Sequence, residues 1–484
     1  MNATFNLVDR PWLDALDGNG RPRRISLLDA FTDPSLSRLA MRTRTAEPPA
    51  YLLLVSIAMD AMRPDRDDPP LELDIDVITS YLGRMHDRFD LFHPEHPFGQ
   101  AAWLGTIDKA AKVPYQLIRE FHTAPEKEQY LGHYTPQTMT GLPSADAAQH
   151  LLHHIATFPG GTTSTGDPSE RNGRSAKAAP MRGKIIHIPH GRTLRETILL
   201  SMPDAAILGR PAWHAEGPDG MLGLLTATVA AVFLRSEDGG ATVSHASIGN
   251  AYSRERDGER YPGGKGYPES PFLGYDEDNE GGPVYAPDGN DGAFDLWRKI
   301  PKLAKARVPI AASARERSAH LGLPRPAVRL YAMNGVGKTS ATSVSEDQIP
   351  LVPPELRLAA AEQLTTLDTA ITKIGEHLAI RTGAHRHSDT TKPQKNHSAQ
   401  HRFIRQMEPI MRAVLMDAIS DPDQGVLSTD RAKAVRTAAI DIYVTATPGW
   451  DPMRAAEGQR RILQIITRFL PMLSTKTTTE KETR

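Results

Sequence analysis

The spacing of apolar residues is most regular in the last third of the chain, where it predicts helices. Five apolar positions recur at intervals of three and four residues: Leu364, Leu367, Ile371, Ile374 and Leu378. This spacing puts them on one stripe of a helix of about 25 residues. A second stripe runs from Phe403 to Leu415 and contains Pro409, which is expected to kink that helix.

Two further helices follow, and each begins at residues that suit the start of a helix. Ser428-Thr429-Asp430 offers a side-chain oxygen that can cap a third helix. Asp451-Pro452 offers an N-cap carboxylate and a proline in the first turn of a fourth. Four helices joined by short or polar connections predict a four-helix bundle over residues 351–484.

The first 350 residues mix helix-like and strand-like patterns. An apolar helix is predicted from Ala50 to Met62, and a strand-like run extends from Ala227 to Leu234. Between about 155 and 305 the chain is rich in Gly, Pro, Ser and Asp, which predicts long loops. We therefore expect an α+β protein, with a large mixed α/β domain over residues 1–350 before the bundle. A chain ending near Val352, at the Pro353-Pro354 boundary, is expected to fold alone.

Composition removes several classes of protein. The 484 residues include no cysteine, so disulfides, thiolate nucleophiles and cysteine zinc sites are excluded. No stretch approaches the ~18 apolar residues of a membrane span, and Met1 to Phe5 does not begin a secretion signal, so we expect a cytoplasmic protein. The net charge is −1, although residues 351–484 carry 19 basic residues against 15 acidic ones. The bundle is therefore mildly basic.

One glycine-rich motif resembles the end of a phosphate-binding P-loop: Gly335-Val336-Gly337-Lys338-Thr339-Ser340. In a P-loop another glycine stands five positions before the second glycine, and here Ala332 holds that place. The loop must also open a helix, whereas residues 341–350 have little helical pattern. A P-loop-like nucleotide hydrolase using Lys338 and Thr339 is kept as the alternative function. Such a loop also suits close approach to a phosphate or a base edge.

The histidines fall into clusters: His93 and His96; His150, His153 and His154; His385, His387, His397 and His401. Metal ligands must converge on one point and usually have a supporting carboxylate, and these spacings do not indicate that. We expect structural or solvated histidines, with no metal and no cofactor. Since no catalytic triad, carboxylate pair or dinucleotide fingerprint is found either, we do not expect an enzyme.

A polar stretch around Asn172-Gly173-Arg174-Ser175 is flanked by basic residues: Arg171, Lys177, Arg182 and Lys184. It is typical either of a solvated loop or of a basic loop on phosphate or the minor groove.

Four short blocks stand in order along the chain: Phe5-Asn6-Leu7-Val8-Asp9-Arg10-Pro11-Trp12-Leu13; His93-Pro94-Glu95-His96-Pro97-Phe98-Gly99-Gln100; Met181-Arg182-Gly183 with Leu194–Leu200; and Tyr267-Pro268-Glu269-Ser270-Pro271-Phe272. Together with the closing bundle, these blocks resemble the CasA family, the large subunits of type I-E CRISPR surveillance complexes (Cascade). The resemblance covers the full length of the chain.

The resemblance implies a non-catalytic DNA-binding subunit. Its N-terminal domain is expected to recognise the protospacer-adjacent motif in duplex DNA and to assist duplex opening and R-loop stabilisation, while guide pairing reads the sequence. The implied partners are double-stranded target DNA, the displaced single strand, the subunits that hold the CRISPR RNA, and the helicase-nuclease that the complex recruits. No membrane is implied.

The resemblance also implies DNA-binding residues by position. The family's glycine loop falls on Asn172, Gly173, Arg174 and Ser175, its wedge on Gly337, Lys338, Thr339 and Ser340, and its minor-groove lysine on Lys265. In the bundle, Arg402, Arg405 and Arg412 are candidates for holding the displaced strand by phosphate contact, as are Arg460, Arg461 and Arg468. The other interpretation of these arginines is a solvated face. The chain keeps one glycine of the glycine loop and has Lys338-Thr339 at the wedge, where a relative has an amide side chain.

We expect Gly173→Val to weaken DNA capture more than it lowers thermal stability. A loop that approaches a groove closely has no room for a branched Cβ, whereas an exposed loop adds little to the core. A gel shift and a thermal melt measure the two effects. A lower melting temperature with unchanged binding would show that the segment is structural.

Overall fold

In the computed structural model, the helix from Glu47 to Met62 is buried along almost its whole length. Residues 47–60 are all buried, so this part of the helix has no face exposed to solvent and lies inside a core. Pro48 and Pro49 fit its first turn, where backbone N–H groups have no partner within the helix. The helix predicted over 50–62 is confirmed, and it begins three residues earlier than predicted.

The structure describes residues 3–65, 69–106, 114–118, 139–157, 161–162, 175–176, 178–204, 207–226, 229–250, 268–276, 281–286, 296–323, 326–335, 342–352, 356–383, 396–420 and 428–470. Two units are distinguished by their internal contacts. The first comprises Met1–Tyr275, Asn279–Phe294 and Val308–Leu351, and the second Asp276–Asp278, Asp295–Arg307 and Val352–Arg484.

The strands of the described residues are short, apart from one long pair. They are β1 (Leu13–Asp17), β2 (Pro22–Ile25), β3 (Leu36–Leu39), β4 (Leu142–Pro143), β5 (Gly161–Thr162), β6 (Ser175–Ala176), β7 (Ile185–His190), β8 (Ala230–Arg235), β9 (Thr242–Val243), β10 (His245–Asn250), β11 (Tyr275–Asp276), β12 (Gly282–Pro283), β13 (Ala327–Gly335) and β14 (Thr342–Pro350). Two antiparallel sheets have three strands, in the orders β2-β1-β3 and β14-β13-β7. Pairs β4–β9, β5–β6 and β8–β10 are also antiparallel.

The helices of the first unit are α1 (Leu27–Thr32), α2 (Glu47–Met62), α3 (Ile75–Arg84), α4 (Ser144–Thr157), α5 (Leu194–Leu200), α6 (Gly220–Thr226) and α8 (Ile310–His320). The core of this unit contains side chains from α2, from the sheet around β1 and from β7 and β13, with Trp12, Tyr51 and Tyr331 among the largest fully buried. The predicted α+β class is confirmed.

The second unit is helical. Its helices are α7 (Ile300–Lys305), α9 (Arg357–Arg381), α10 (His397–Gln406), α11 (Glu408–Ser420), α12 (Thr429–Ala446) and α13 (Pro452–Phe469). The other five pack against α9, whose predicted stripe from Leu364 to Leu378 is fully buried. The predicted bundle of helices is therefore confirmed.

The starts of these helices follow the predicted capping chemistry. The Ser428 side chain accepts a hydrogen bond from the Arg431 N–H, and the Asp451 carboxylate accepts from the N–H groups of Met453 and Arg454. The stripe around Pro409 is not one kinked helix, because it divides into α10 and α11 at Met407. Pro409 stands in the first turn of α11, where backbone N–H groups have no partner within the helix. Its missing N–H therefore costs no hydrogen bond of α11.

The segment Asp295–Arg307 packs in the second unit. The domain boundary predicted from sequence, between residues 350 and 351, places this segment in the N-terminal domain. Its apolar residues Leu296, Trp297, Ile300 and Leu303 are buried. They lie on α7 and on the turn before it, which pack against α9 and α11. Within the described residues, no helix is both long and apolar enough to cross a membrane.

A chain truncated after Val352 is therefore expected to expose apolar surface instead of folding as a closed domain. Removing α9 and α11 uncovers Trp297 and Ile300, and exposed apolar patches cause aggregation. Binding of a hydrophobic dye and light scattering should both rise above those of the full chain. The same truncation carrying Trp297→Ser and Ile300→Ser is the control and should bind less dye. A monomeric truncation with no extra dye binding would contradict this prediction.

Candidate nucleic-acid interface

The glycine-rich motif after β13 lies at the turn of a β-hairpin. Strands β13 and β14 pair antiparallel from Ala327↔Pro350 to Gly335↔Thr342. Residues 336–341, which include Gly337, Lys338, Thr339 and Ser340, connect them and lie outside the described residues. A P-loop holds phosphate at the start of a helix, and here the chain returns as a strand. The nucleotide-hydrolase alternative is therefore wrong for this motif.

The base of this hairpin is fixed in the core of the first unit. Strand β13 also pairs with β7, from Ala327↔His190 to Ala332↔Ile185. The apolar side chains of β7 and of Val328, Leu330 and Tyr331 are buried. Since β7 begins opposite Ala332, residues 333–335 of β13 extend past it toward the loop. The loop is thus carried on a two-stranded ribbon whose other end is buried.

A buried carboxylate joins the hairpin to helix α2. The Glu47 side chain is fully buried, and its Oε1 accepts a hydrogen bond of 2.8 Å from the Tyr331 hydroxyl. Its Oε2 accepts from the Arg44 guanidinium at 3.1 Å and from the Met41 N–H at 3.0 Å. The Arg329 Nη1 lies 3.6 Å from Glu47 Oε1.

A second carboxylate, on β14, completes this network. Glu346 Oε1 lies 3.1 Å from Arg329 Nε, and Glu346 also pairs with Arg44. Burial, with Tyr51 and Glu47 nearby, raises the pKa of Tyr331, so its hydroxyl stays protonated and can donate to Glu47. Two arginines and two glutamates therefore connect α2, β13 and β14.

His190, at the end of β7, adjoins this network. Burial, reinforced by Arg329 and Arg38, lowers the pKa of His190 to about 3. Its ring lies edge-on to Tyr51, with the ring centroids 5.5 Å apart. The imidazole is therefore neutral at physiological pH and adds no third positive charge.

The other positions implied for the first unit are only partly described. Ser175 lies in β6, which pairs with β5 through Thr162↔Ser175 and Gly161↔Ala176. Asn172, Gly173 and Arg174 precede that strand and lie outside the described residues, as does Lys265. Their contact with DNA stays a prediction.

The three bundle arginines differ in their surroundings. Arg402 and Arg405 are exposed on α10, and the Arg402 Nη2 lies 3.3 Å from the Thr445 hydroxyl. Arg412, on α11, already pairs with Glu408, with its Nη2 2.8 Å from Oε1. Arg405 has no acidic partner among the described side chains. A phosphate that binds Arg412 would therefore have to displace Glu408, whereas a phosphate that binds Arg405 would displace no described carboxylate.

A basic segment in the second unit was not among the residues predicted from sequence. Five cations fall between residues 298 and 307: Arg298, Lys299, Lys302, Lys305 and Arg307. The signal was present, because no acidic residue occurs from Leu296 to Arg315. Most of this segment falls within the stretch of about 155–305, for which composition predicts long loops. On α9, burial raises the pKa of Asp368, although Arg298, Lys302 and Lys299 act in the opposite direction.

Several of the described histidines make structural contacts. His153 Nδ1 lies 2.7 Å from the Thr45 hydroxyl, and His154 Nε2 lies 3.1 Å from the Leu117 carbonyl. His93 Nδ1 accepts from the N–H groups of Glu95 and His96, which makes this block a rigid turn. No group of three or more potential metal ligands is found in the described part of the chain.

The family model for "CRISPR-associated protein Cse1 (CRISPR_cse1)" matches residues 6–442. The CRISPR-associated protein CasA/Cse1 of Thermus thermophilus is 31% identical over 208 residues, which cover 41% of this chain and 39% of that protein. The match to this curated relative thus spans about two fifths of the relative's length.

Solved structures match over nearly the whole chain. Thermus thermophilus CasA (Cse1) superposes with a TM-score of 0.72 at 20% identity, covering 98% of this chain and 100% of that one. Cse1 of Acidimicrobium ferrooxidans gives 0.71 at 18% identity, covering 97% and 99%. A chain of a "CRISPR RNA-guided surveillance complex" gives 0.70 at 20% identity, covering 96% and 99%. At these identities the similarity establishes the fold.

We expect Glu47→Gln to lower the free energy of unfolding of the first unit by about 3 kcal/mol. The change removes the buried negative charge that faces Arg329, whose side chain is 11% exposed, and leaves that cation with Glu346 alone. Urea unfolding measures the loss. The double variant Glu47→Leu with Arg329→Leu is the control and should recover much of it, because it removes both members of this pair while Arg44 and Glu346 still pair with each other. Equal urea midpoints for Glu47→Gln and the parent would contradict this prediction.

Proposed function

The chain belongs to the CRISPR-associated Cse1 family, and on that premise we propose that it is the large, non-catalytic subunit of a type I-E CRISPR RNA-guided surveillance complex that binds target DNA. The observation that carries this proposal is the match of the family model to residues 6–442. The fold shared with a chain of a CRISPR RNA-guided surveillance complex supports it. Binding of DNA and of the subunits that hold the CRISPR RNA are parts of the same proposal.

The first unit, in this proposal, recognises the protospacer-adjacent motif in duplex DNA. The loop at residues 336–341 acts as the wedge, with Lys338 as its cation, and Asn172–Ser175 and Lys265 contact the duplex beside it. The geometry of the hairpin supports this assignment, because a two-stranded ribbon can enter a groove. Gly337 suits the loop to a close approach, since it has no Cβ.

A wedge must not yield when it separates base pairs. The hairpin's base is fixed on one side by pairing with β7 and on the other by the ionic contacts of Glu47 and Glu346. The free energy of DNA contact is then available to open the duplex, because the base of the hairpin does not deform. The protein reads only the short motif, and pairing with the guide reads the remaining sequence.

The second unit, in this proposal, holds the displaced strand and offers a surface to the helicase-nuclease. The cations proposed for the displaced strand are Arg402, Arg405, Arg412 and those of the basic segment 298–307. Phosphate contacts of this kind carry no sequence information and weaken with salt. Among the three arginines Arg405 should contribute most, because Arg412 already pairs with Glu408.

We expect Lys338→Ala to leave the fold intact and to weaken target capture by the assembled complex about tenfold, because it removes a charge-assisted contact with phosphate or a base. The measurement is a gel shift on duplexes with a guide-matched target next to either an intact or a randomised motif. Lys373→Ala is the matched control, since this exposed lysine pairs with Glu376 on α9.

Two outcomes of this gel shift would count against the proposal. Equal affinity of the Lys338→Ala and parent complexes for the motif-bearing duplex would exclude Lys338 from the site. A parent complex that binds intact and randomised motifs equally would overturn motif recognition by this chain.

A further inference from the structure

Lys184 and Tyr285 face each other at the end of the sheet that carries the 336–341 loop. They are partners in an isolated antiparallel bridge, next to the hydrogen bond from the Ala286 N–H to the Gly183 carbonyl at 2.9 Å. Side chains of directly opposed residues lie on the same face of a sheet. Tyr285 is 57% exposed, and among the described residues it is the one aromatic in the set of exposed large apolar side chains.

The charge of Lys184 is not balanced within the described chain. Its side chain is half-buried, and no described acidic group lies within ion-pair distance of its amine. Burial lowers the pKa of Lys184, and no neighbouring charge opposes that shift. Burial also lowers the pKa of Arg182, two residues earlier. Burial disfavours the charged form of Lys184 in the free protein, and an anion bound here would offset that desolvation cost.

The distance from Lys184 and Tyr285 to the 336–341 loop determines which part of a bound duplex they can contact. Ile185 pairs with Ala332, so Lys184 lies beside Met333, three residues before the loop begins at 336. At about 3.3 Å per residue this is ~10 Å along the strand. The grooves of B-DNA are roughly 8 Å deep, so a ribbon whose tip enters a groove carries residues ~10 Å behind the tip to the backbone at the edge of the groove. A duplex contacted by the loop therefore brings backbone phosphates to Lys184 and Tyr285.

We propose that Lys184 and Tyr285 form a second contact with the duplex, on its sugar–phosphate backbone, ~10 Å behind the 336–341 loop. The Lys184 amine and the Tyr285 hydroxyl donate to phosphate oxygens, and the tyrosine ring packs against the sugar. The contact positions the duplex under the loop and carries no sequence information. This inference depends on the proposed function, because it requires the loop to engage duplex DNA.

The test uses Lys184→Met in the assembled complex, since methionine keeps the apolar stem and removes the charge. Dissociation constants are measured over a series of salt concentrations, on duplexes with an intact or an altered motif. We expect about tenfold weaker binding to both duplexes, with their ratio unchanged. The slope of log affinity against log salt should fall by about 0.9, the value of one lost phosphate contact. Lys433→Met on α12, an exposed lysine paired with Asp430, should change neither quantity.

Variants of Tyr285 separate its two roles. Tyr285→Phe should lose only the hydroxyl contact, and Tyr285→Ala should weaken binding further because the ring is lost as well. Thermal melts of the free chain and the yield of assembled complex show whether each variant folds and assembles.

Several outcomes overturn the inference. Unchanged affinity and salt slope for Lys184→Met remove the pair from the DNA path. Loss of discrimination between intact and altered motifs would make the pair part of motif reading instead. Failure to assemble, with an unchanged melt, would make it a contact with another subunit. A parent complex without motif discrimination would instead refute the proposed function, so the two failures are distinguishable.

Discussion

The burial of one carboxylate, Glu47, constrains the first unit more than any other interaction described above. A buried charge is tolerated only where opposite charges and hydrogen bonds surround it, and here they come from Arg44, Arg329 and Tyr331. Glu47 also stands in the first turn of α2, where the positive end of the helix dipole favours an anion. A shift of the hairpin along α2 would take Arg329 and Tyr331 away from Glu47, which would keep only Arg44 and the Met41 N–H as partners.

This constraint explains how a glycine-containing loop could act on a duplex. The loop itself needs freedom to fit a groove, whereas its support must resist the load of separating base pairs. The β13–β14 ribbon meets both needs, because its tip extends past β7 while its base is anchored by the β7 ladder and the Glu47 network. In the proposed function, motif recognition and mechanical support belong to different residues of one hairpin.

The cations of the two units differ in their surroundings, and this difference suggests different roles. Lys184 is half-buried without an acidic partner in the described chain, so an incoming phosphate gains a contact and relieves a desolvation cost. Arg412 and Arg461 each already pair with a glutamate on the same helix, so a phosphate there exchanges one ion pair for another. In the proposed function Lys184 positions a duplex, whereas Arg405, exposed and without an acidic partner among the described side chains, retains a strand through a weak, salt-sensitive contact.

What the sequence determined by itself was local. The helical stripes of the second unit followed from apolar spacing, although the division of one stripe into α10 and α11 did not. The caps at Ser428 and Asp451 followed from side chains that bond backbone within a few residues. The family blocks likewise indicated the Cse1 fold. Only the tertiary structure decided the contacts between distant residues: Tyr331 reaches Glu47 across 284 residues, and 295–307 packs with helices that begin at 357. From sequence, the motif at 335–340 fitted either a P-loop or a glycine loop that approaches a phosphate or base edge. The pairing of β14 with β13 shows a hairpin, which local pattern does not fix because it does not determine which strand a residue meets.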